Sequence, residues 1–327
     1  MSWIFRSDEP AVGERVVVRR TYPNGTHSDV IGHVLTLDPL VLRPQEVGGY
    51  PSDLDAIEIP ADEVGIVKRL SPRTVRNSDI RAVEVATAEA FPGKEHTWTA
   101  DGQWLMRAGD GVTERSNSAA PLGPSAGFTA VPLDEIEAFY ARHDLPVQLL
   151  LPERLARAAE KVLDDSWQLG PEIVVMTRDL DVLPEPEPRW EFHVDDEPDD
   201  EWLGLYHFRG QALPPEALEY LRKRIEGTMG FGRLTADGRT VAITRGTLTE
   251  SGDGTRWLGY SAVEVAPDWR RQGLGTQLGA QMLCWGAAGG ATRAYLQVLA
   301  TNAVGIHLYE KLGFLEHHRH RYARKVT

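Results

Sequence analysis

The segment that most restricts how this chain can fold is Trp257–Trp285, WLGYSAVEVAPDWRRQGLGTQLGAQMLCW. A half-buried strand pattern runs from Trp257 to Val265, and Pro267 ends it. Arg270-Arg271-Gln272-Gly273-Leu274-Gly275 then opens a helix, on which Leu274, Leu278, Met282 and Trp285 recur at helical spacing and form a buried stripe. The first amide N–H groups of such a helix have no helical acceptors, and the macrodipole adds partial positive charge. Gly273 and Gly275 leave no side chain between backbone and ligand, and Arg270 and Arg271 can add charge-assisted contacts. A diphosphate group is the natural guest.

Three nucleotide-type readings compete for this loop. A P-loop needs a Gly-Lys-Ser/Thr ending, which is absent. GLGTQLG passes for a loose dinucleotide fingerprint, but that fold wants an acid at the end of the next strand. The next strand ends Val298-Leu299-Ala300-Thr301. The third reading is coenzyme A.

The loop resembles the acetyl-CoA motif of the GNAT N-acetyltransferase superfamily, R/Q-x-x-G-x-G/A after a strand. A second stretch, Asn302-Ala303-Val304-Gly305-Ile306-His307-Leu308-Tyr309 ending Gly313-Phe314, resembles the family's N-x-x-A-x-x-L-Y-x-x-x-G-F, with Gly305 where alanine is common. The two motifs stand in the family's order, which neither alone would specify. The resemblance implies a GNAT acyltransferase fold and acetyl-CoA as cosubstrate. It implies that the diphosphate lies on Arg270, Arg271, Gln272, Gly273, Leu274, Gly275 and Thr276, and that the pantetheine arm pairs with Ala262-Val263-Glu264-Val265. It implies an oxyanion-hole amide at Val265 and a proton from Tyr309 to the departing sulfur. Asn302 sits where an N-cap is expected, two turns before Tyr309, and Gly305 leaves space beside the ring. Glu264, Glu250 and Glu226 are candidates for the general base by position only, and water can relay the proton instead.

Outside these motifs the chain divides by texture. Residues 1–70 read as short strands between turn signals such as Pro23-Asn24-Gly25, which suggests a small β-barrel or sandwich. Residues 71–188 read as a mixed α/β module, with helices expected over SDIRAVEVATAEAF, LDEIEAFYARH and ERLARAAEKVLDD and a strand-like piece at VTERSNSAAPL. Residues 189–327 carry the motifs and form the expected GNAT domain. The fold class is therefore α/β (α+β). By resemblance, the middle module is a degenerate GNAT-like half. The whole arrangement is similar to an actinobacterial group with a Src-homology-like barrel and tandem modules, some associated with N-acetylglutamate synthesis.

Composition narrows the partners. A single cysteine, Cys284, excludes a disulfide framework and thiolate-rich metal sites. Residues 183–201 hold nine acids and one arginine, −8 of the net −13, and their alternating Pro and Glu read as a solvated, extended linker. No apolar run reaches the ~20 residues of a membrane helix. The start lacks a signal peptide's apolar stretch, so the cytoplasm is the expected setting. The acidity gives no field for nucleic acid. No metal is expected: the histidines of His317-His318-Arg319-His320 read as an exposed strand end, because neighbours on a strand face opposite ways.

The expected function is acetyl-CoA-dependent N-acetylation of a primary amine by direct transfer. Glutamate leads among small acceptors, and a protein lysine or N-terminus competes. The acceptor site is expected between the middle and C-terminal modules. An amino-acid acceptor needs arginines for its carboxylates, and Arg107, Arg115 and Arg245 are available. A CoA-sensing protein without turnover is the remaining class. The sequence leaves the oligomeric state open.

Overall fold

In the computed structural model, residues 4–6, 8–208, 211–212 and 215–326 are described. The chain forms two compact units: Met1–Arg76 with Glu316–His318, and Asn77–Leu315 with Arg319–Thr327.

The first unit is an antiparallel sheet of β1 (Arg15–Thr21), β2 (His27–Leu37), β3 (Leu40–Pro44), β4 (Ile57–Ile59) and β5 (Val64–Arg69), in the order β4-β3-β2-β1-β5. Alternation sends Val16, Val18, Val34, Leu42 and Ile59 to one face, where all five are buried. Among the described residues the hydrogen-bonded path ends at β4 and β5.

The second unit is built on one large sheet. Its middle-segment elements are α1 (Asn77–Ala90), β6 (Glu95–Trp98), β7 (Leu105–Ala108), β8 (Ala119–Ala120), α2 (Leu133–Arg142), β9 (Gln148–Pro152), β10 (Trp167–Leu169) and β11 (Ile173–Asp179). There follow β12 (Glu191–Asp195), α3 (Asp200–Leu205), β13 (His207–Phe208), β14 (Gln211–Ala212), α4 (Pro215–Arg224), β15 (Thr228–Ala236), β16 (Arg239–Glu250) and β17 (Arg256–Val265). The chain closes with α5 (Leu274–Ala288), β18 (Arg293–Leu299), α6 (Ala303–Lys311) and β19 (Leu315–Lys325).

The sheet order is β12-β15-β16-β17-β18-β11-β19-β9-β8-β7-β6, with β10 beside β19. The two α/β halves exchange strands across it. β11, from the middle segment, pairs antiparallel with β18, and β19, from the chain's end, pairs with β9 and β10. α1 crosses over as well: the Thr249 hydroxyl donates to the Ala86 carbonyl at 2.9 Å and the Tyr295 phenol to the same oxygen at 3.3 Å. The helix that the sequence places in the middle segment thus forms part of the second half's core, through Val83, Ala86, Trp257 and Tyr295.

Three local expectations give way. Glu153–Asp165 is not a helix. Arg154 takes a φ of 69°, the Glu153 N–H is held by the Arg319 carbonyl, and one 3-10 turn, Ala159–Lys161, remains. The piece VTERSNSAAPL is a 3-10 turn over Glu114–Ser116 followed by the two-residue β8. The acidic junction is more than a spacer, since its residues Glu191–Asp195 are β12, the edge strand against β15. Phe192 and Val194 alternate inward against the main core, and the Glu187 backbone exchanges hydrogen bonds with the Gln277 side chain at 2.9 and 3.0 Å.

Arg233 fixes that edge. Its Nε donates to Asp195 at 2.8 Å and its Nη1 to Asp199 at 2.7 Å. Asp199 is also the N-cap of α3, accepting from the Trp202 N–H at 2.9 Å. Asp199→Ala is expected to lower stability by about 1 kcal/mol, mostly through the lost cap because the ion pair is half exposed. An unchanged urea midpoint would contradict that assignment.

Candidate active site

β17 and β18 pair in parallel from Trp257↔Arg293 to Tyr260↔Leu296. β17 continues to Val265 and β18 to Leu299, but no pairing joins them there among the described residues. The strands part, and the edge Ser261–Val265 is left open toward β18.

On its other side β17 remains bound to β16, through a bulge. Arg245 pairs with Ser261 and Ile243 with Glu264, so Ala262 and Val263 both lie opposite Thr244. Ala262 adopts a φ of 57°, a conformation L-residues rarely take, and the Thr244 hydroxyl holds the Ser261 carbonyl at 2.9 Å. Beyond the bulge, the Ala266 N–H bonds to the Val241 carbonyl. Backbone groups alternate in direction along a strand, so the N–H groups of Val263 and Val265 turn away from β16, toward the gap. The Val265 carbonyl, pointing the same way, accepts from Arg270 Nε at 3.0 Å. Arg270 therefore braces the strand end.

The gap opens beside the N-terminus of α5. Arg271 and Gly273 have φ of 61° and 84°, and Gly273 is the N-cap. The first helical bond runs from the Gln277 N–H to the Gly273 carbonyl. The N–H groups of Leu274, Gly275 and Thr276 thus precede the helical ladder. Arg271, Gln272 and Gly273 are exposed, and a Cβ on Gly273 would meet nothing within 4 Å. Gly275 serves a different end: its Cβ would meet Leu308 Cδ1 at 2.7 Å, and one on Gly279 would meet Leu312 Cδ1 at 2.3 Å. These two glycines, one turn apart, seat α6 against α5.

α6 carries Tyr309. Asn302 caps the helix, its side-chain oxygen accepting from the Gly305 N–H at 2.9 Å. Gly305 does not leave room for the tyrosine ring as the sequence suggested, since its missing Cβ faces the Asn302 amide at 2.7 Å. The Tyr309 ring stands edge-on to Tyr260, 6.0 Å between centroids, and to Phe314 at 6.3 Å. Burial, with the Glu264 carboxylate adding to it, pushes the Tyr309 phenol up to about 12.

Tyr260 was not singled out by sequence. It is 4 % exposed, its hydroxyl makes no hydrogen bond among the described residues, and burial raises its phenol well above the usual range. Only an apolar alternation at 258 and 260 was visible there, which marks core rather than site. Glu264 lies where its charge is felt by Tyr309. Burial raises its carboxyl, and His207 and Arg270 partly offset that. Glu226 and Glu250 line a separate cavity with Glu89 and Arg256, so the structure does not bring them to the gap.

The arginines divide too. Arg245 and Arg115 both stand over the Phe91 ring, at 5.2 and 4.3 Å. Arg107 is in β7, donating to the Ser118 hydroxyl at 3.1 Å, and does not join them. The histidine expectation fails as well. His318 and His320, two apart on β19 and therefore on one face, are fully buried, and His320 Nδ1 lies 2.7 Å from a Glu84 carboxylate oxygen. Cys284 is half-buried beside the Pro184 carbonyl, and burial raises its thiol.

Parted parallel strands, a bulged edge and a glycine-opened helix form one site. A family model described as "Probable histone acetyltransferase Rv0428c C-terminal" matches residues 77–323, most of the chain. The chain belongs to this family of GNAT acetyltransferases. The probable histone acetyltransferase Rv0428c of Mycobacterium tuberculosis (strain ATCC 25618 / H37Rv) is 38% identical over 317 residues, covering 96% of this chain and 95% of that protein. Two solved structures share the fold. A GCN5-related N-acetyltransferase from Kribbella flavida has a TM-score of 0.53 at 17% identity, over 74% of this chain and 94% of that one. A tandem GNAT protein from the clavulanic acid biosynthesis pathway has a TM-score of 0.51 at 14% identity, over 74% and 86%. The GNAT enzyme described here therefore spans two GNAT-like halves. Acetyl-CoA is the acetyl donor general to its family. Among the described residues, no helix is long and apolar enough to cross a membrane.

Proposed function

We propose that this GNAT enzyme acetylates a primary amine by direct transfer, with the cosubstrate held in the gap between β17 and β18. The observation that carries the reading is the open edge Ser261–Val265 ending beside the free N-terminus of α5. Bound acetyl-CoA would supply a thioester carbonyl and a thiolate leaving group. The amides of Leu274, Gly275 and Thr276, with Arg271 and Gln272 at the rim, suit its diphosphate. The N–H groups of Val263 and Val265, which have no strand partner on the β18 side among the described residues, suit its pantetheine arm. The Val265 N–H is assigned to the developing oxyanion. Asn302 positions α6, and Tyr309 hands its phenolic proton to the sulfur as the C–S bond breaks.

The amine must lose a proton as the C–N bond forms, because amines near pKa ~8–10 are mostly charged at neutral pH. Glu264 is the base this geometry favours. A carboxyl raised by burial is a better proton acceptor than an ordinary one once ionised. It must be ionised to act, so kcat/KM should rise as pH climbs through its raised pKa and fall away below it. Glu264→Gln should remove that acidic limb and cost about tenfold in kcat, water carrying the proton in its place. An unchanged pH profile in the variant would remove Glu264 from the mechanism.

Glutamate is the leading acceptor. The protein lysine or N-terminus stays as the second reading, because the Mycobacterium relative carries the name of a probable histone acetyltransferase. Thiol release from acetyl-CoA, measured with a panel of amino acids and a lysine-rich histone-type peptide, decides between them. CoA binding without thiol release on any amine would instead make the protein a CoA sensor.

A further inference from the structure

β11 comes from the middle segment, yet it runs beside β18 along its whole length, from Ile173↔Leu299 to Asp179↔Arg293. Its alternation sends Val174 and Met176 into the core that also holds Leu283 of α5 and, just past α6, Leu312 and Phe314. Arg178 is two residues further on, so it faces the same way, and it reaches the C-terminal end of α6. Its Nη1 donates to the Leu312 carbonyl, its Nη2 to the Val182 carbonyl and its Nε to the Asp179 carbonyl, the last at 3.0 Å. One guanidinium thus ties the end of α6 to the strand and turn of the middle segment.

The rest of that helix end is closed by its own backbone. Gly313 takes a φ of 81°, and the N–H groups of Gly313 and Phe314 reach back to the Glu310 and Tyr309 carbonyls at 2.9 and 3.0 Å. This cap does not serve the Leu312 carbonyl, which Arg178 takes, and a cation suits the negative end of a helix dipole. Glycine is required at 313 twice over: for its φ, and because a Cβ there would stand 3.1 Å from Arg178 Nη1. The flanking side chains place α6. Leu312 fills the notch left by Gly279 of α5, and Phe314 stands edge-on to the Tyr309 ring. Arg178 therefore grips the backbone between the residue that seats α6 and the residue that buttresses Tyr309.

We propose that Arg178 is a positioning residue for Tyr309: by clamping the end of α6 to β11, it fixes where the phenolic hydroxyl stands in the gap. This rests on the transferase reading above for the role of Tyr309 as the acid. It also gives the middle half a part in the chemistry, because the strand that carries Arg178 is the one that half contributes beside β18. Arg178 acts through the helix and not on a reacting group. Proton transfer to sulfur tolerates little displacement of the hydroxyl, so a helix end that drifts slows the step without weakening the hold on the cosubstrate.

The test is a double-mutant cycle on the full chain, read by thiol release from acetyl-CoA with the fastest acceptor of the panel above. Arg178→Ala should lower kcat about tenfold or more, with KM for acetyl-CoA nearly unchanged. Arg178→Lys keeps a donor for the Leu312 carbonyl and should recover part of the loss. Tyr309→Phe has already lost the hydroxyl, so adding Arg178→Ala to it should cost no further kcat. The same loss in both backgrounds, or a raised KM with kcat kept, would make Arg178 a fold or binding determinant and overturn the proposal. A Tyr309→Phe enzyme with the wild-type kcat would instead remove the acid assignment on which the proposal rests. Amide hydrogen exchange reads the clamp without turnover. Arg178→Ala should speed exchange at Gly313 and Phe314 and leave Leu278 to Leu283 of α5 as they were. Unchanged exchange at Gly313 and Phe314 would overturn the clamp whatever the kinetics. Faster exchange there, in a protein that acetylates no amine, would keep the clamp and overturn the transferase reading.

Discussion

Tyr309→Phe should slow acetyl transfer by about a hundredfold to ten-thousandfold in kcat while leaving KM for acetyl-CoA nearly unchanged. The substitution keeps the ring between Tyr260 and Phe314 and removes only the hydroxyl, so packing of α6 is preserved. The phenol is pushed up to about 12, well above a free thiol near ~8.5. It therefore stays protonated through the neutral range, as an acid must. The same dry surroundings raise a thiol bound beside it, which narrows the gap the proton has to cross. Because the phenol ionises only near 12, the wild-type rate should show no alkaline loss from this group below that pH. A Tyr309→Phe enzyme with the wild-type kcat would mean that another group, or water, protonates the sulfur.

Gly273→Val should produce the opposite split: weaker acetyl-CoA binding, by about tenfold to a hundredfold, with kcat at saturation largely kept. The residue has a φ of 84°, which a β-branched side chain adopts only under strain. No neighbour obstructs the new side chain, so the fold should survive. The valine would instead stand over the free amides at the start of α5, where the diphosphate is proposed to sit. Gly275 is a poor choice for the same test, since its Cβ would strike Leu308 and shift Tyr309 along with α6. Unchanged acetyl-CoA affinity in Gly273→Val would place the diphosphate elsewhere.

The glycine loop was legible from sequence because local backbone demands leave residue-level marks. Pro267 ends a strand, Gly273 takes the left-handed turn and Leu274, Leu278 and Met282 are buried at helical spacing. The Asn302 cap was legible for the same reason. What the sequence hid was long-range pairing. Nothing in IVVMTRD announces that it will lie beside β18, or that the HRHRYARK stretch will pair with β9, because strand alternation names a face and not a neighbour. That pairing is what buries His318 and His320 in a run that reads as exposed. Burial also sorted groups that looked equivalent in sequence. Among the three arginines it gave Arg245 and Arg115 a shared aromatic ring and left Arg107 in another strand. Among the three glutamates it set Glu264 near Tyr309 and the other two around a different cavity. The acidic junction misled for a simpler reason: its Pro-Glu run overshadowed the alternating Trp190, Phe192 and Val194 that follow.

Amide hydrogen exchange of the full chain, with and without acetyl-CoA, tests the placement of the cosubstrate most directly. The open edge of β17 and the first turn of α5 carry N–H groups with no partner among the described residues, so bound acetyl-CoA should slow exchange at Val263 and Val265 and at Leu274, Gly275 and Thr276. Acetyl-CoA that binds but leaves those five amides exchanging as before would contradict the site.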